Sequence, residues 1–233
     1  MKYTKEDITP QQKKWLFLAP LIVPVIVIPL SGHVFWAEGW IFSVWFITVC
    51  CSITLYLYHN EPEMLVEICK RQLFDDPLGW DKNVFYVAIG LCALWLLLMP
   101  IDAKLFNWSK NFPSLLEDFG ILGLLLSFFL LMRAFVDNTH LLPLIPMQLD
   151  RKQEIPTLGV YNVVRHPLYL GVVLMFLFAP IHLGSFYGLI VGVILTITVC
   201  VRIAAEEQML VEKFDGYINY RNRVRYRLIP FIW

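Results

Sequence analysis

The chain has 233 residues, of which 58% are hydrophobic and 16% are charged, and its mean hydropathy is +0.62. An average soluble domain is about 45–50% apolar and about 25% charged, so the composition excludes a soluble domain and a disordered chain. The 19 basic and 19 acidic residues cancel, and no excess of charge points to a nucleic-acid partner. The composition predicts an all-α protein that crosses a membrane several times.

The polar N-terminal segment, 1–14, is too long for the n-region of a signal peptide, and no small-residue cleavage site follows the first apolar run. We therefore expect the first apolar run to be kept as a membrane span. The five cysteines have neither zinc-type spacing nor the density of a secreted scaffold. We interpret them as small apolar side chains.

Six apolar runs approach the length of about 20 residues that crosses the hydrocarbon core of a bilayer. In chain order they are Trp15–Leu30, Ile41–Tyr58, Val84–Ile101, Phe119–Val136, Leu168–Ile181 and Phe186–Val201. Prolines predict a kink or break in the first run, and the fifth is short. The turn at 182–185 joins the fifth and sixth runs in a helical hairpin. We expect one domain over 1–233, a transmembrane helix bundle of five or six spans, with front helices over 1–132 and a functional core over 133–233.

Two further helical patterns accompany the spans. The segment Glu61–Phe74 alternates apolar and charged residues at helical spacing, which predicts an amphipathic helix at the membrane interface. The sixth run has small residues at every fourth position, which predicts a face for close helix packing. These residues are Gly184, Gly188, Gly192, Thr196, Cys200 and Ala204.

The distribution of basic residues predicts the orientation of the bundle. If the N-terminus is inside and six spans alternate, all of the 19 lysines and arginines except Lys104 and Lys110 lie inside. This asymmetry is what the positive-inside rule predicts. We expect both termini to be cytosolic, in the inner membrane of a bacterium or the endoplasmic reticulum of a eukaryote.

The first candidate site lies at the start of the fifth run. Pro167 suits the first turn of a helix, so Arg165 and His166 stand next to a helix N-terminus that favours an anion. A carboxylate or phosphate ligand fits this position. An arginine that reaches for lipid headgroups beside a capping histidine fits it equally, and the spacing leaves both interpretations open.

The second candidate site is the acidic pair Glu206-Glu207, beyond the sixth run. Either carboxylate could accept hydrogen bonds from the hydroxyls or amine of a ligand, or pair with Arg202 at helical spacing. In the tail, Tyr217 and Tyr220 continue a helical face from Glu206, and four arginines alternate over 221–227. These arginines suit anionic headgroups, although one of them could bind a substrate carboxylate.

Other site types find no support in the sequence. There is no G-x-S-x-G, H-E-x-x-H, Walker or G-x-G-x-x-G motif. None of the histidines has a partner at metal-ligand spacing. We therefore expect no metal site and no Rossmann-type cofactor site.

The C-terminal hundred residues resemble the isoprenylcysteine carboxyl methyltransferase family and its bacterial relatives, which are similar to phospholipid N-methyltransferases. The resemblance covers 133–233, and Pro62-Glu63 and Asn138 also fit the bacterial members. The matching residues are Gly159, Tyr161, Arg165-His166-Pro167-Leu168-Tyr169, Gly171, Glu206-Glu207, Leu210, Phe214, Tyr217, Tyr220 and Ile229-Pro230.

The resemblance implies a membrane methyltransferase that uses S-adenosylmethionine, held between the last hairpin and the C-terminal helix. The methyl acceptor would be lipophilic or small, with a carboxylate first and a thiol or amine as alternatives. The resemblance assigns catalysis to Arg165, Glu207 and Arg221. It assigns cofactor binding to Gly159, Tyr161, Arg165, His166, Pro167, Tyr169, Glu206, Glu207 and Tyr217.

Two other functions stay open at this point. A non-catalytic membrane accessory protein would keep the scaffold without methyl transfer. A nicotinamide-dependent enzyme similar to sterol reductases shares a C-terminal hairpin of this kind, but the short chain counts against it.

Overall fold

The structure is a computed structural model that describes residues 5–70, 82–137, 159–213 and 216–233. In these segments the secondary structure is helical, which confirms the predicted all-α class. The α-helices are α1 (Pro10–Leu18), α2 (Ile22–Ser31), α3 (Ala37–Asn60), α4 (Pro62–Lys70), α5 (Lys82–Pro100), α6 (Ser114–Asp137), α7 (Pro167–His182), α8 (Phe186–Lys213) and α9 (Tyr217–Arg223).

Within the described residues, five helical segments are long and apolar enough to cross a membrane, and the chain is an integral membrane protein. These segments are Pro10–Ser31, Ala37–Asn60, Tyr86–Leu105, Ser114–Asp137 and Phe186–Glu212. The helix α7 is apolar as well, but it has only 16 residues. The predicted bundle of five or six spans is confirmed. The short helix α7 corresponds to the fifth apolar run, which the sequence predicts to be short.

The first span is broken, as its prolines predict. A 3-10 turn at Ala19–Leu21, with Pro20 inside it, separates α1 from α2. The helix α2 ends at Gly32, whose φ of 69° is left-handed and whose N–H donates to Pro29 O at 3.1 Å. A glycine at this position closes the helix without the strain that a side chain would cause.

The helices α6, α7 and α8 form the packed centre of the C-terminal half. Glycines allow the close approach of α6 and α7, because a Cβ added to Gly123 would lie 2.0 Å from the Phe178 ring. On α8, a Cβ at Gly192 would lie 2.2 Å from Phe176 O, and one at Gly188 would lie 2.6 Å from Met99. The small-residue face predicted on the sixth run is therefore a packing face at these two positions.

The helix α4 differs in part from the predicted interfacial helix. Residues 71–74 of that prediction lie outside the described residues. Met64 and Leu65, which the sequence assigns to the interface, are buried and pack with Ile8 and Leu57. The apolar face of α4 thus serves the packing of the protein itself, while Ile68 remains 42% exposed.

A polar cluster closes the end of the bundle where α8 begins. The π-helical turn Ile101–Leu105 follows α5 and carries Asp102, which is fully buried. Its carboxyl group accepts from the Ser185 hydroxyl at 2.6 Å, from the Ser109 hydroxyl at 2.8 Å and from Tyr187 N–H at 3.2 Å. The cluster satisfies a free N–H of the first turn of α8, which would otherwise be buried without a partner.

Candidate functional site

The C-terminal tail is bound to the start of α7 by backbone hydrogen bonds. Val164 and Tyr226 form an isolated parallel bridge. Arg165 N–H donates to Tyr226 O at 2.9 Å, and His166 N–H donates to Arg227 O at 2.9 Å. The tail therefore lies across the entrance of α7, next to the residues that the sequence singles out.

The Arg165 side chain is buried, at 7% exposure. Its Nε donates to Glu207 Oε1 at 2.6 Å, and its Nη1 donates to Val224 O at 2.7 Å and Arg225 O at 2.9 Å. Arg165 thus does not reach for lipid headgroups. The anion beside the start of α7 is a carboxylate of the chain itself, and the guanidinium also holds the tail in place.

Glu207 is the centre of the cluster and is only 3% exposed. Besides Arg165, Arg227 Nε donates to its Oε2 at 2.6 Å, and the Tyr217 hydroxyl lies 3.4 Å from its Oε1. His166 Nε2 is also 3.4 Å from Oε1. We call these five residues the Glu207 cluster. Of the two interpretations of the acidic pair, ligand or ion pair, the structure shows an ion pair for Glu207, with Arg165 and Arg227.

Two tyrosines of α9 support the cluster. Burial, and then the nearby Glu207 carboxylate, raise the pKa of the Tyr217 hydroxyl. Burial likewise raises the pKa of Tyr220, whose hydroxyl donates to Tyr161 O at 2.9 Å. Both hydroxyls stay protonated at neutral pH, so both remain hydrogen-bond donors. Tyr161 is itself buried and fixes the position of α9 through its backbone.

Glu206 belongs to a separate arrangement. The Tyr169 hydroxyl donates to Glu206 Oε2 at 2.7 Å and accepts from Arg202 Nε at 3.0 Å. All three side chains are half-buried. The adjacent acids, which the sequence treats as one pair, therefore have different partners.

Gly159 lies at the start of the turn that precedes Arg165 and packs against the end of α6. Its φ is +58°, and a Cβ there would lie 1.9 Å from Asp137 Oδ2. Asp137 pairs with Arg133 and accepts from Val160 N–H at 2.9 Å. The glycine lets the backbone approach the carboxylate at the end of α6, and that contact orients the turn Gly159–Asn162 that precedes Arg165.

We expect Gly159→Ala to destabilise the protein by about 2 kcal/mol or more, since the left-handed backbone alone costs about 1–2 kcal/mol. Thermal unfolding of the detergent-solubilised protein measures this effect. The matched control is Gly90→Ala on α5, where a Cβ meets nothing within 4 Å. Gly90→Ala should leave the unfolding temperature unchanged or raise it, and an equal loss in both variants would contradict the role of Gly159.

An open cleft of about 570 Å³ lies beside the Glu207 cluster. Arg221 is exposed and borders the cleft, and Arg165 and Arg227 connect the cleft to Glu207. The lining residues of this arginine cleft are Arg165, Arg221, Asn222, Arg225, Tyr226, Arg227, Ile232 and Trp233. The cleft combines guanidinium groups with the aromatic faces of Tyr226 and Trp233.

The structure brings together most of the residues predicted for the site. Arg165, His166, Glu207 and Tyr217 form one cluster, and Pro167 is buried at the first position of α7. Asn138 lies outside the described residues. No group that could hold a metal ion occurs among the residues that the structure describes.

Sequence reasoning missed Arg227 as a site residue. Its place in the alternating arginines of the tail suggested contact with headgroups, yet its guanidinium is bound to Glu207 and lies over the Trp233 ring, 5.2 Å from the centroid. No local signal distinguishes Arg227 from Arg221, Arg223 or Arg225. Only the bridge between Val164 and Tyr226 places it over Glu207.

Comparison with known proteins shows a family match in the C-terminal half. Residues 118–216 match the phospholipid methyltransferase family. The match confirms the resemblance that the motifs indicate, and it includes Arg165, His166, Glu206 and Glu207. It begins earlier than the predicted 133 and ends at 216, so the tail lies outside it.

Two curated proteins to which this chain is similar are methanethiol S-methyltransferases. The relative from Bradyrhizobium diazoefficiens is 40% identical over 73 residues, which are 31% of this chain and 25% of the relative. The relative from Crocosphaera subtropica is 27% identical over 168 residues, which are 69% of this chain and 64% of the relative. The chain thus spans less than two thirds of the length of the curated relatives it matches.

Proposed function

We propose that this chain is an integral membrane methyltransferase that uses S-adenosylmethionine and methylates a small thiol. The observation that supports the proposal most strongly is the arginine cleft beside the Glu207 cluster. Three residues of that cluster, Arg165, His166 and Glu207, lie in the region that matches the methyltransferase family. Both curated relatives are named for methanethiol S-methylation. Their names favour a thiol acceptor over the isoprenylcysteine carboxylate that the motif resemblance places first.

The arginine cleft fits S-adenosylmethionine in size and in chemistry. Its volume of about 570 Å³ lies within the range of about 300–1,000 Å³ that is usual for cofactor sites. The Arg221 guanidinium suits the carboxylate of the cofactor, because such forks bind carboxylates with two hydrogen bonds. Trp233 and Tyr226 offer aromatic faces for the adenine ring, and Asn222 offers an amide for a hydroxyl.

The Glu207 cluster would position the residues of this site without binding the cofactor directly. Its side chains already bind one another, and Glu207 is 3% exposed. We therefore propose that Arg165, His166 and Glu207 hold the tail, and with it Arg221 and Trp233, against the start of α7. S-Adenosylmethionine supplies an electrophilic methyl group when bound, and the protein contributes alignment and exclusion of water, which can account for about 7–11 kcal/mol.

We further propose that the termini, and with them the arginine cleft, face the cytosol. The support is the distribution of Lys and Arg, of which only Lys104 and Lys110 fall on the other side. In that orientation the polar cofactor enters from water. A small apolar thiol can reach the site from the bilayer between the exposed faces of the spans.

Transfer of a labelled methyl group tests the proposed function. Purified protein in lipid nanodiscs is incubated with methyl-labelled S-adenosylmethionine and either an alkyl thiol or a cell extract, and the product is identified by mass spectrometry. We expect a labelled thioether. A labelled ester would identify a carboxylate acceptor, and no product from correctly folded protein would contradict the proposal and favour the non-catalytic alternative.

We expect Arg221→Gln to raise the Kd for S-adenosylmethionine at least tenfold. A charge-assisted hydrogen bond contributes about 1.5–3 kcal/mol, and about 1.4 kcal/mol corresponds to a tenfold change in Kd. Titration calorimetry of the detergent-solubilised protein measures the change.

Arg223→Gln is the matched control for this prediction. Arg223 lies on the same helix and is exposed, but its guanidinium sits over the Tyr220 ring, 6.0 Å from the centroid, and does not line the cleft. The two variants lose the same charge, so Arg223→Gln should change the Kd by less than about twofold. Similar losses in both variants would show that the effect is general electrostatics and would rule out Arg221 as a ligand.

A further inference from the structure

The carboxylates of the adjacent acids Glu206 and Glu207 accept hydrogen bonds from different kinds of donor. Both oxygens of Glu207 accept from guanidinium groups at 2.6 Å, so a proton on Glu207 would leave two buried or half-buried cations without their anion. Glu206 accepts from the uncharged Tyr169 hydroxyl at 2.7 Å. Neighbours on a helix point about 100° apart, and this rotation separates the two carboxylates. The Tyr169 hydroxyl thus gives Glu206 a hydrogen-bonded neighbour that can exchange a proton with it.

Tyr169 connects Glu206 to the surroundings of the arginine cleft. It lies in the first turn of α7, and its ring centroid is 5.8 Å from that of His166. It packs on the same apolar cluster as Trp233, which lines the cleft. Tyr169 and Trp233 thus share one apolar cluster, which offers an apolar surface to an apolar acceptor near the cleft.

A thiol acceptor has to lose a proton during methylation. The thiolate is the nucleophile, and a free thiol has a pKa of about 8.5 or above. A base within hydrogen-bond reach increases the rate of such steps by about 10²–10⁴-fold. The Glu207 carboxylate is poorly suited to this role, because Arg165 and Arg227 hold both of its oxygens.

We propose that Tyr169 and Glu206 form the proton acceptor for the thiol substrate, an inference that rests on the proposed function. As the new sulfur–methyl bond forms and the carbon–sulfur bond of the sulfonium donor breaks, the thiol proton passes to Tyr169 Oη. The proton of Tyr169 passes at the same time to Glu206 Oε2, which becomes a neutral carboxylic acid and later returns the proton to water.

Arg202 is a positioning residue in this arrangement. Its Nε donates to Tyr169 Oη at 3.0 Å, which fixes the hydroxyl and stabilises negative charge that develops on it. A tyrosine oxygen has two lone pairs, so one remains for the hydrogen of the thiol. The resemblance assigns Tyr169 and Glu206 to the cofactor, whereas their hydrogen bonds favour a role on the acceptor side.

Two thiols of different acidity test the proposal. Glu206→Gln and Tyr169→Phe should lower kcat/KM for an alkyl thiol at least 100-fold. For an electron-poor aryl thiol that is already ionised at the assay pH, the same variants should lower kcat/KM less than about fivefold. The control is Glu212→Gln, which removes the same charge from an exposed position of α8 and should leave both rates unchanged.

Binding of S-adenosylhomocysteine, measured by calorimetry, provides a readout that is independent of activity. Glu206→Gln and Tyr169→Phe should bind it with a Kd within about threefold of the wild-type value. A loss of binding of tenfold or more would make these residues cofactor ligands and would overturn the proposal.

The outcomes separate this proposal from the proposed function. If the wild-type protein methylates neither thiol, thiol methylation itself is wrong. If it methylates both, and Glu206→Gln slows both by the same factor, the methyltransferase stands and the proton acceptor does not. A selective loss with the alkyl thiol supports the proton acceptor.

Discussion

Glu207→Gln is expected to reduce the free energy of unfolding by about 3–5 kcal/mol, the usual effect of removing one partner from a buried ion pair. The substitution leaves Arg165, at 7% exposure, without its anion. Arg165 also holds the carbonyl groups of Val224 and Arg225. Loss of its anion therefore loosens the tail, and we expect the Kd for S-adenosylmethionine to rise at least tenfold as well.

Denaturant unfolding in detergent, together with hydrogen exchange of the tail amides, measures this effect. The adjacent Glu206→Gln is the matched control, since Glu206 is half-buried and Gln can still accept from Tyr169. It should cost less than about 1 kcal/mol. A double-mutant cycle with Arg227→Gln should give a coupling energy of at least about 1 kcal/mol, and additive effects would contradict the ion pair between Glu207 and Arg227.

Asp102→Ala is expected to cost about 3 kcal/mol or more, because each buried donor left without an acceptor costs about 1–3 kcal/mol. The substitution removes the acceptor of Ser109, Ser185 and Tyr187 N–H at once. The first turn of α8 should then open first. Hydrogen exchange at 186–188 and the unfolding temperature measure the loss.

Asp118→Ala is the control for this prediction, because Asp118 is exposed near the start of α6. We expect it to change stability by no more than about 0.5 kcal/mol. Since Asp102 is separated from the Glu207 cluster by the length of α8, folded Asp102→Ala should keep its affinity for the cofactor. Equal instability of the two variants would contradict the role of Asp102 as an anchor of α8.

Much of the fold follows from local sequence. The thickness of a bilayer sets the length of a membrane span, so apolar runs of that length predict the spans. The prolines of the first run predict the break at Ala19–Leu21. The turn after His182 predicts the hairpin of α7 and α8. The structure buries Met64 and Leu65 against Ile8 and Leu57, a contact that the sequence did not predict, because periodicity identifies an apolar face without showing whether lipid or protein covers it.

The sequence predicted which residues belong to the candidate site, but it did not predict which of them contact one another. Arg165, His166 and the acidic pair stand out because charges at the ends of apolar helices are costly. Their guanidinium and carbonyl partners in the tail are 20 to 60 residues distant in the chain, and spacing along one helix cannot show them. Arg202 was a candidate partner for the acidic pair at helical spacing, and its Nε donates to the Tyr169 hydroxyl, a contact that helical spacing does not predict.

The amino-acid sequence by itself determined that this protein is a helical membrane protein with a C-terminal methyltransferase-family region. It did so because hydropathy, prolines and short motifs act over neighbouring residues. Only the tertiary structure showed that Glu207 pairs with Arg165 and Arg227, whereas Glu206 accepts a hydrogen bond from Tyr169. The physical reason is that the bridge between Val164 and Tyr226 brings the tail over α8, and a pairing across such a distance leaves no periodic signal in the chain.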